Sequence, residues 1–344
     1  MRVVIAANNG DIGGGEVMLL AIARAVQSLG HDLEVLGPSK PDQLVAKSRE
    51  LGYETIELEA SSRLTYMIAL RSWWRQQSSG ILWCNGLLPS VATAGMRSRL
   101  VHLHQIPIWR LRFLLSIARR RSLGVLVPSR HMSVAIKKSK VLSNWSKRIS
   151  TNAIDRDTEG APIRVGFIGR FSSDKGLPLL IEALGIASAK AEASLKLVLA
   201  GSPKFVSEED QRRVRSALET SNVEIEMLGW VAPEEFLSEV DVVVVPSIWP
   251  EPFGLVATEC MSASVPLVVS DAGALPEIVG EGYPWVSSAG DANSLADSIL
   301  EFLTSPESER SKVVKSAFKR WNSLYSPETG ELAVGRILQE IEGK

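Results

Sequence analysis

The sequence predicts an α/β protein of two domains, each a parallel sheet wrapped by helices. Three observations predict it. The chain has 344 residues, too many for one open α/β core and enough for two at roughly 100–200 residues per domain. Apolar, β-rich runs alternate with segments of helical period along nearly the whole chain, the pattern of βαβ units. A polar stretch without periodicity, residues 152–162, divides the alternation into two series and reads as a linker.

The first series opens with residues 2–7, an apolar run bounded by Asn8-Asn9-Gly10. A helix pattern over 14–29 stops at Gly30, a natural helix terminator. Further strands are expected at 32–36, 53–58, 81–84, 99–103 and 124–127. The second series places strands at 164–168, 195–200, 223–228, 241–245 and 266–269. These runs are continuous rather than alternating, as strands covered on both faces should be. Residues 327–343 form one amphipathic pattern and are expected as a last helix. The expected domains are therefore 1–155 and 156–326, followed by the helix in 327–344.

Composition narrows the class. The chain is 45% hydrophobic and 22% charged, near the globular average, so it can bury two ordinary cores. No apolar run approaches the roughly 20 residues of a membrane span. The N-terminal apolar stretch is too short for a signal peptide and turns into a glycine loop, so a cytoplasmic protein is expected. Cys84 and Cys260 stand far apart without metal-ligand spacing, which suits reduced structural thiols.

The charge is strongly segregated. Residues 60–154 hold 16 Lys/Arg and no Asp or Glu. Such asymmetry suggests a charged partner for that half. Two of its segments, Arg63-Leu-Thr-Tyr-Met-Ile-Ala-Leu-Arg-Ser-Trp-Trp-Arg75 and 108–121, are basic and aromatic. Basic helices with Trp can lie in a headgroup layer, so peripheral attachment to an anionic inner membrane face is expected through residues 60–154. No nucleic-acid motif accompanies the basic residues, and no nucleic-acid partner is expected.

The segment with the most chemistry is Ser247-Ile-Trp-Pro-Glu-Pro-Phe-Gly-Leu-Val-Ala-Thr-Glu259. The strand before it ends at Pro246, and a helix pattern begins at about Gly254. Glu251 then lies at the helix mouth, and Glu259 lies about 7–8 Å further along the axis. A helix N-terminus offers free N–H groups to an anion, and carboxylates suit pairs of sugar hydroxyls.

With Cys260-Met261, Pro266-Leu-Val-Val-Ser and Gly273-Ala-Leu-Pro-Glu277 following, this segment resembles the C-terminal signature of glycosyltransferase family 4, two glutamates separated by seven residues. One position departs from it: Ser264 stands where the family usually has glycine. The resemblance implies a GT-B fold, two Rossmann-like domains facing across a cleft, with the C-terminal helix returning to the N-terminal domain. It implies a retaining glycosyltransferase that moves a sugar from a nucleoside-diphosphate sugar to an acceptor hydroxyl, with no metal and no further cofactor. The acceptor is expected to be a glycan or a lipid-linked molecule bound by the first domain, the donor to be bound by the second.

The resemblance also assigns residues. In Gly169-Arg-Phe-Ser-Ser-Asp-Lys-Gly176, Arg170 and Lys175 would grip the donor diphosphate. Fixed cations there stabilise the charge that the leaving group gains. Glu251 would hold the donor sugar and Glu259 the ribose. Phe253, Gly254, Leu255 and Val256 would line the helix mouth beneath the donor, with Gly169 and Gly201 as close-approach turns. Leu228 begins the segment whose backbone would read the base. In the first domain, Gly14 and Gly15 belong to the glycine loop Asn8-Asn-Gly-Asp-Ile-Gly-Gly-Gly-Glu16, near donor phosphate and acceptor. His104, at the exit of the 99–103 strand, would touch donor or acceptor, and Asn85 is a weaker candidate of the same kind. The alternatives are a nucleotide-sugar epimerase or phosphorylase on the same scaffold, or a non-catalytic nucleotide-sugar-binding protein.

Overall fold

The computed structural model describes residues 1–107, 109–151, 160–191 and 193–343. Most of the linker expected at 152–162, and Ile108 of the second basic segment, lie outside the described residues. The chain forms two compact units. One comprises Met1–Trp145 together with Pro327–Lys344, the other Ser146–Ser326.

The first unit begins β1 (Arg2–Ala7), α1 (Gly14–Ser28), β2 (Asp32–Pro38), α2 (Gln43–Glu50), β3 (Glu54–Leu58) and α3 (Arg63–Arg75). It continues β4 (Ile81–Asn85), α4 (Leu87–Ala92), β5 (Arg99–His102), α5 (Phe113–Ala118), β6 (Gly124–Val127), α6 (Arg130–Ala135) and β7 (Lys140–Val141). The sheet order is β3-β2-β1-β4-β5-β6-β7, parallel throughout. Val3, Val4, Ile5, Ala6 and Ala7 of the central strand are all 0% exposed. That burial on both faces is what a continuous apolar run implies.

α3 and α4 cover one face, where Tyr66, Leu70 and Trp74 meet Val4, Ala6, Leu82 and Cys84. Strand order reverses at β1/β4, so the helices on either side of that reversal fall on opposite faces of the sheet. Arg99, at the start of β5, is 0% exposed and has no carboxylate partner among the described residues. Its guanidinium donates to the carbonyls of Ser90 (3.0 Å), Met96 (3.2 Å), Ala118 (2.9 Å) and Arg120 (2.5 Å), and to Thr93 Oγ1 (3.3 Å). These carbonyls lie at and beyond the C-terminal ends of α4 and α5, where partial negative charge collects.

The second unit runs β8 (Ile163–Arg170), α7 (Leu177–Lys190), β9 (Leu195–Ser202), α8 (Glu208–Glu219), β10 (Glu224–Gly229), α9 (Pro233–Ser238), β11 (Val242–Val245) and α10 (Leu255–Ala263). Then come β12 (Leu267–Ser270), α11 (Leu275–Val279), β13 (Val286–Ser287), α12 (Ala292–Thr304) and α13 (Glu307–Leu324). The last helix, α14 (Pro327–Glu342), packs on α1 in the first unit. There Gly330 lies flat against the Trp145 ring, and Val334 and Leu338 are buried. The second sheet is also parallel, in the order β10-β9-β8-β11-β12-β13.

α10 ends at Ser264, which takes the left-handed conformation at φ 58°. Glycine is the favoured residue at this terminator position. A left-handed non-glycine costs roughly 1–2 kcal/mol, and glycine gives back about half in unfolded-chain entropy. Ser264→Gly is expected to stabilise the protein by about 0.5–1 kcal/mol, read as a raised midpoint of thermal unfolding. A lowered midpoint would mean that the serine hydroxyl, not the backbone, decides this turn.

Candidate functional site

In the second unit the chemistry gathers beyond the carboxyl ends of β8 and β11. That is where ligands bind in open α/β sheets. β8 delivers Gly169 and Arg170 at its end. Gly169 and Gly201 are register partners on β8 and β9. Gly201 has φ 131°, and a Cβ there would stand 1.9 Å from the Gly169 carbonyl oxygen, so only glycine lets the two strand ends close in this way. The 170–176 loop is held by Asp210, which accepts from Ser173 N at 3.1 Å. It is tied to the 247–253 loop by Ile248 N and Trp249 N, which donate to the Asp174 carbonyl at 3.0 and 3.1 Å.

These ties bring Lys175 to Glu251. Lys175 Nζ stands 2.5 Å from Glu251 Oε1, and Ser247 Oγ donates to the same oxygen at 2.5 Å. Glu251 is 7% exposed, and its backbone forms a bridge with Gly273. Arg170, by contrast, is exposed and has no side-chain partner among the described residues. α10 starts immediately after Gly254, whose φ is 112°. Its first amides, Leu255 and Val256, precede any intrahelical bond. The site therefore presents a free guanidinium, a paired ammonium and a helix N-terminus, all suited to an anion.

Glu259 lies in the middle of α10 without a side-chain partner among the described residues. Burial pushes its pKa up to about 7, the negative Glu234 adds to the rise, and Lys147 opposes it. Lys147 and Glu234 form an ion pair of their own. One expected donor residue sits differently from a ligand-facing side chain: the Phe253 ring is 2% exposed and packs edge-on against Tyr325 at 5.6 Å. The Leu228 side chain is half-buried and packs against the core. Beyond Leu228, Trp230 is 79% exposed.

In the first unit, Gly14 and Gly15 open α1, and the His104 ring lies 3.7 Å from where a Gly15 Cβ would be. His104 Nε2 meets Asn85 Oδ1 at 2.6 Å, and Asn85 Nδ2 donates to the Gly15 carbonyl at 3.3 Å. Asn85 thus presents its oxygen to the ring, so Nε2 carries the proton and Nδ1 is left as an acceptor. That Nδ1 is buried without a protein partner among the described residues. Burial lowers the His104 pKa to about 4, which keeps the ring neutral. Asn85 therefore orients His104 rather than acting as a separate contact. Asp210 and the tautomer-setting role of Asn85 escape sequence reading, because each acts on a residue far away in the chain; the Ser247 hydroxyl acts only four residues away, on Glu251, but no residue pattern shows that it turns to that carboxylate.

The family model for glycosyl transferases group 1 matches residues 152–320. That match takes in most of the second unit. Over 215 residues the chain is 28% identical to D-inositol 3-phosphate glycosyltransferase of Corynebacterium efficiens, covering 55% of this chain and 50% of that protein. Over 171 residues it is 30% identical to lipopolysaccharide 1,2-N-acetylglucosaminetransferase of Salmonella typhimurium, covering 47% and 44%. The match spans no more than half the length of these curated relatives. The fold resembles that of Anabaena HepE solved in complex with UDP-glucose, at TM-score 0.84, 20% identity, and coverage of 99% of this chain and 100% of that one. Sucrose-phosphate synthase of Thermosynechococcus elongatus gives TM-score 0.80 at 19% identity, covering 99% of both chains. The two units are thus two parallel-sheet, Rossmann-like domains of the GT-B fold.

Proposed function

We propose that this chain is a retaining, family 4 glycosyltransferase that moves a sugar from a nucleoside-diphosphate sugar to an acceptor hydroxyl. The observation that carries the reading is the Lys175–Glu251 contact at 2.5 Å beside the α10 N-terminus. It joins a cation for a leaving diphosphate to a carboxylate for a sugar hydroxyl. In this reading Arg170, Lys175 and the first amides of α10 bind the diphosphate, whose negative charge grows as the glycosidic bond breaks. Glu251 holds the sugar, Glu259 the ribose, and the neutral His104 accepts a hydrogen bond from a sugar hydroxyl through Nδ1. The acceptor attacks on the face from which the leaving group departs, and a donor phosphate oxygen takes its proton. The protein's cations carry the charge, so no metal is required.

The test is a thermal-shift screen of UDP-, GDP- and ADP-sugars, followed by mass spectrometry of products with lipid-linked and soluble glycan acceptors. Donor binding without turnover on any acceptor would favour a non-catalytic sugar-nucleotide binder. A product without an acceptor would favour an epimerase, and a sugar phosphate formed from free phosphate would favour a phosphorylase.

Donor affinity should depend on pH through Glu259. A ribose diol is bound by the carboxylate and not by the acid, and the acid form grows as pH falls through about 7. Donor Kd is therefore expected to rise about tenfold from pH 8 to pH 6, following one proton on one group. Glu259→Gln should weaken binding at pH 8 and flatten the profile in isothermal titration. An unchanged slope in that variant would remove Glu259 from the ribose.

The first unit suits a cytoplasmic protein that works at the inner membrane face on a lipid-linked or cell-envelope glycan acceptor. Leu64 on α3 is 65% exposed, Ile68 60%, and Phe113 on α5 62%, all within the acid-free block. No helix among the described residues is long and apolar enough to cross a membrane. Flotation with anionic and neutral vesicles tests the attachment, and binding to neither would end it.

A further inference from the structure

We propose that a crevice in the first unit, between the carboxyl ends of β1, β2 and β3 and the start of α3, binds a phosphoryl group. It encloses about 170 Å³. Its floor is the Tyr66 ring, whose hydroxyl is already committed to the Ala7 carbonyl at 2.6 Å. Pro38 and Leu88 form apolar walls, and Lys40 and Arg63 stand at the rim. No Asp or Glu lines it. Lys40 and Arg63 are exposed, and neither has a side-chain partner among the described residues. This contrasts with Arg49, which is paired with Glu57, and with Arg71, which donates to the Ala92 and Ala94 carbonyls.

The chemistry selects the ligand class. Two unpaired cations on an acid-free crevice attract an anion, and an arginine fork matches the paired oxygens of a phosphoryl group. Ser61 also lines the crevice and has no side-chain partner among the described residues, whereas Ser62 is committed to its reciprocal cap with Thr65. The apolar floor favours a phosphoryl group borne on a sugar or a lipid over the bare ion. Leu64 and Ile68, one turn apart on α3 and both largely exposed, continue the apolar surface outward from Arg63. The crevice deepens the reading of the chain as a glycosyltransferase, on which its role rests: the acceptor would carry a phosphoryl group as well as the hydroxyl that is glycosylated.

The experiment uses the full chain, Lys40→Ala/Arg63→Ala, and a control of equal charge loss within the acid-free block 60–154, Arg75→Ala/Lys137→Ala. All four positions are exposed, so both doubles should fold. Binding is measured to glucose 6-phosphate in solution and to phosphatidylcholine vesicles with and without phosphatidic acid. The expected result is that Lys40→Ala/Arg63→Ala weakens binding to one or both phosphomonoesters at least tenfold, while the control stays within twofold of wild type. Loss on vesicles alone assigns a lipid-borne phosphoryl group, and loss in solution a soluble one. Equal loss in both doubles, or no binding by wild type to either probe, overturns the proposal. Binding of UDP-, GDP- and ADP-sugars is measured on the same proteins: if all fail while phosphomonoester binding behaves as expected, the glycosyltransferase reading falls and the crevice stands.

Discussion

Replacing Lys175 by alanine is expected to lower kcat/KM for sugar transfer by about 10²–10³-fold, the usual cost of removing one fixed group that stabilises transition-state charge. The same variant should also be less stable. Glu251 is 7% exposed, and among the described residues its Oε1 would keep only Ser247 as a partner. A buried group left short of a partner costs about 1–3 kcal/mol, and the partial exposure of Lys175, 32%, places the loss towards the lower end. The two effects separate in Lys175→Ala/Glu251→Gln. Removing the charge of Glu251 should restore the unfolding midpoint while turnover stays low. Recovery of turnover together with stability would show that the lysine serves folding alone.

The second large effect concerns stability only. Arg99→Met should destabilise the first unit by about 3–5 kcal/mol, as breaking a buried charged network does. The methionine fills the space but takes the guanidinium from the carbonyls of Ser90, Met96 and Ala118, while that of Arg120 keeps Gly95 N as a donor. Arg99→Lys should recover only part of the loss, because a single ammonium cannot reach carbonyls spread around a planar fork. Urea unfolding measures both. A loss below about 1 kcal/mol for Arg99→Met, the worth of one ordinary hydrogen bond, would mean that water replaces the guanidinium.

Arg99 also marks what the sequence could not reveal. It begins a short apolar run and reads as one more charge of a basic surface, yet its partners are backbone carbonyls, which no residue pattern displays. Together with Arg71 it is turned inward, so the acid-free block is partly a way of closing helix ends and only partly a free basic face. The long strands were legible. Expected strand 164–168 becomes Ile163–Arg170 and 195–200 becomes Leu195–Ser202, because full burial demands unbroken apolar runs. The edge strands Lys140–Val141 and Val286–Ser287 were not, since two residues with a polar member carry no period. At the site, the spacing of Glu251 and Glu259 with the motif around them, and the resemblance of the 169–176 loop for Lys175, indicated the residues. Neither could indicate that Lys175 and Glu251, 76 positions apart, already hold one another.

The path of the chain through the first unit has a consequence for its synthesis. α14 packs on α1, yet residues 146–326 are translated between the rest of that unit and α14. On the ribosome the first sheet must wait, with the side of α1 that α14 covers left open, while the whole second unit emerges and can fold as a contiguous piece. The half that is made first is therefore the half that is finished last, and a nascent chain stalled before residue 327 would carry one completed unit and one still open to chaperones.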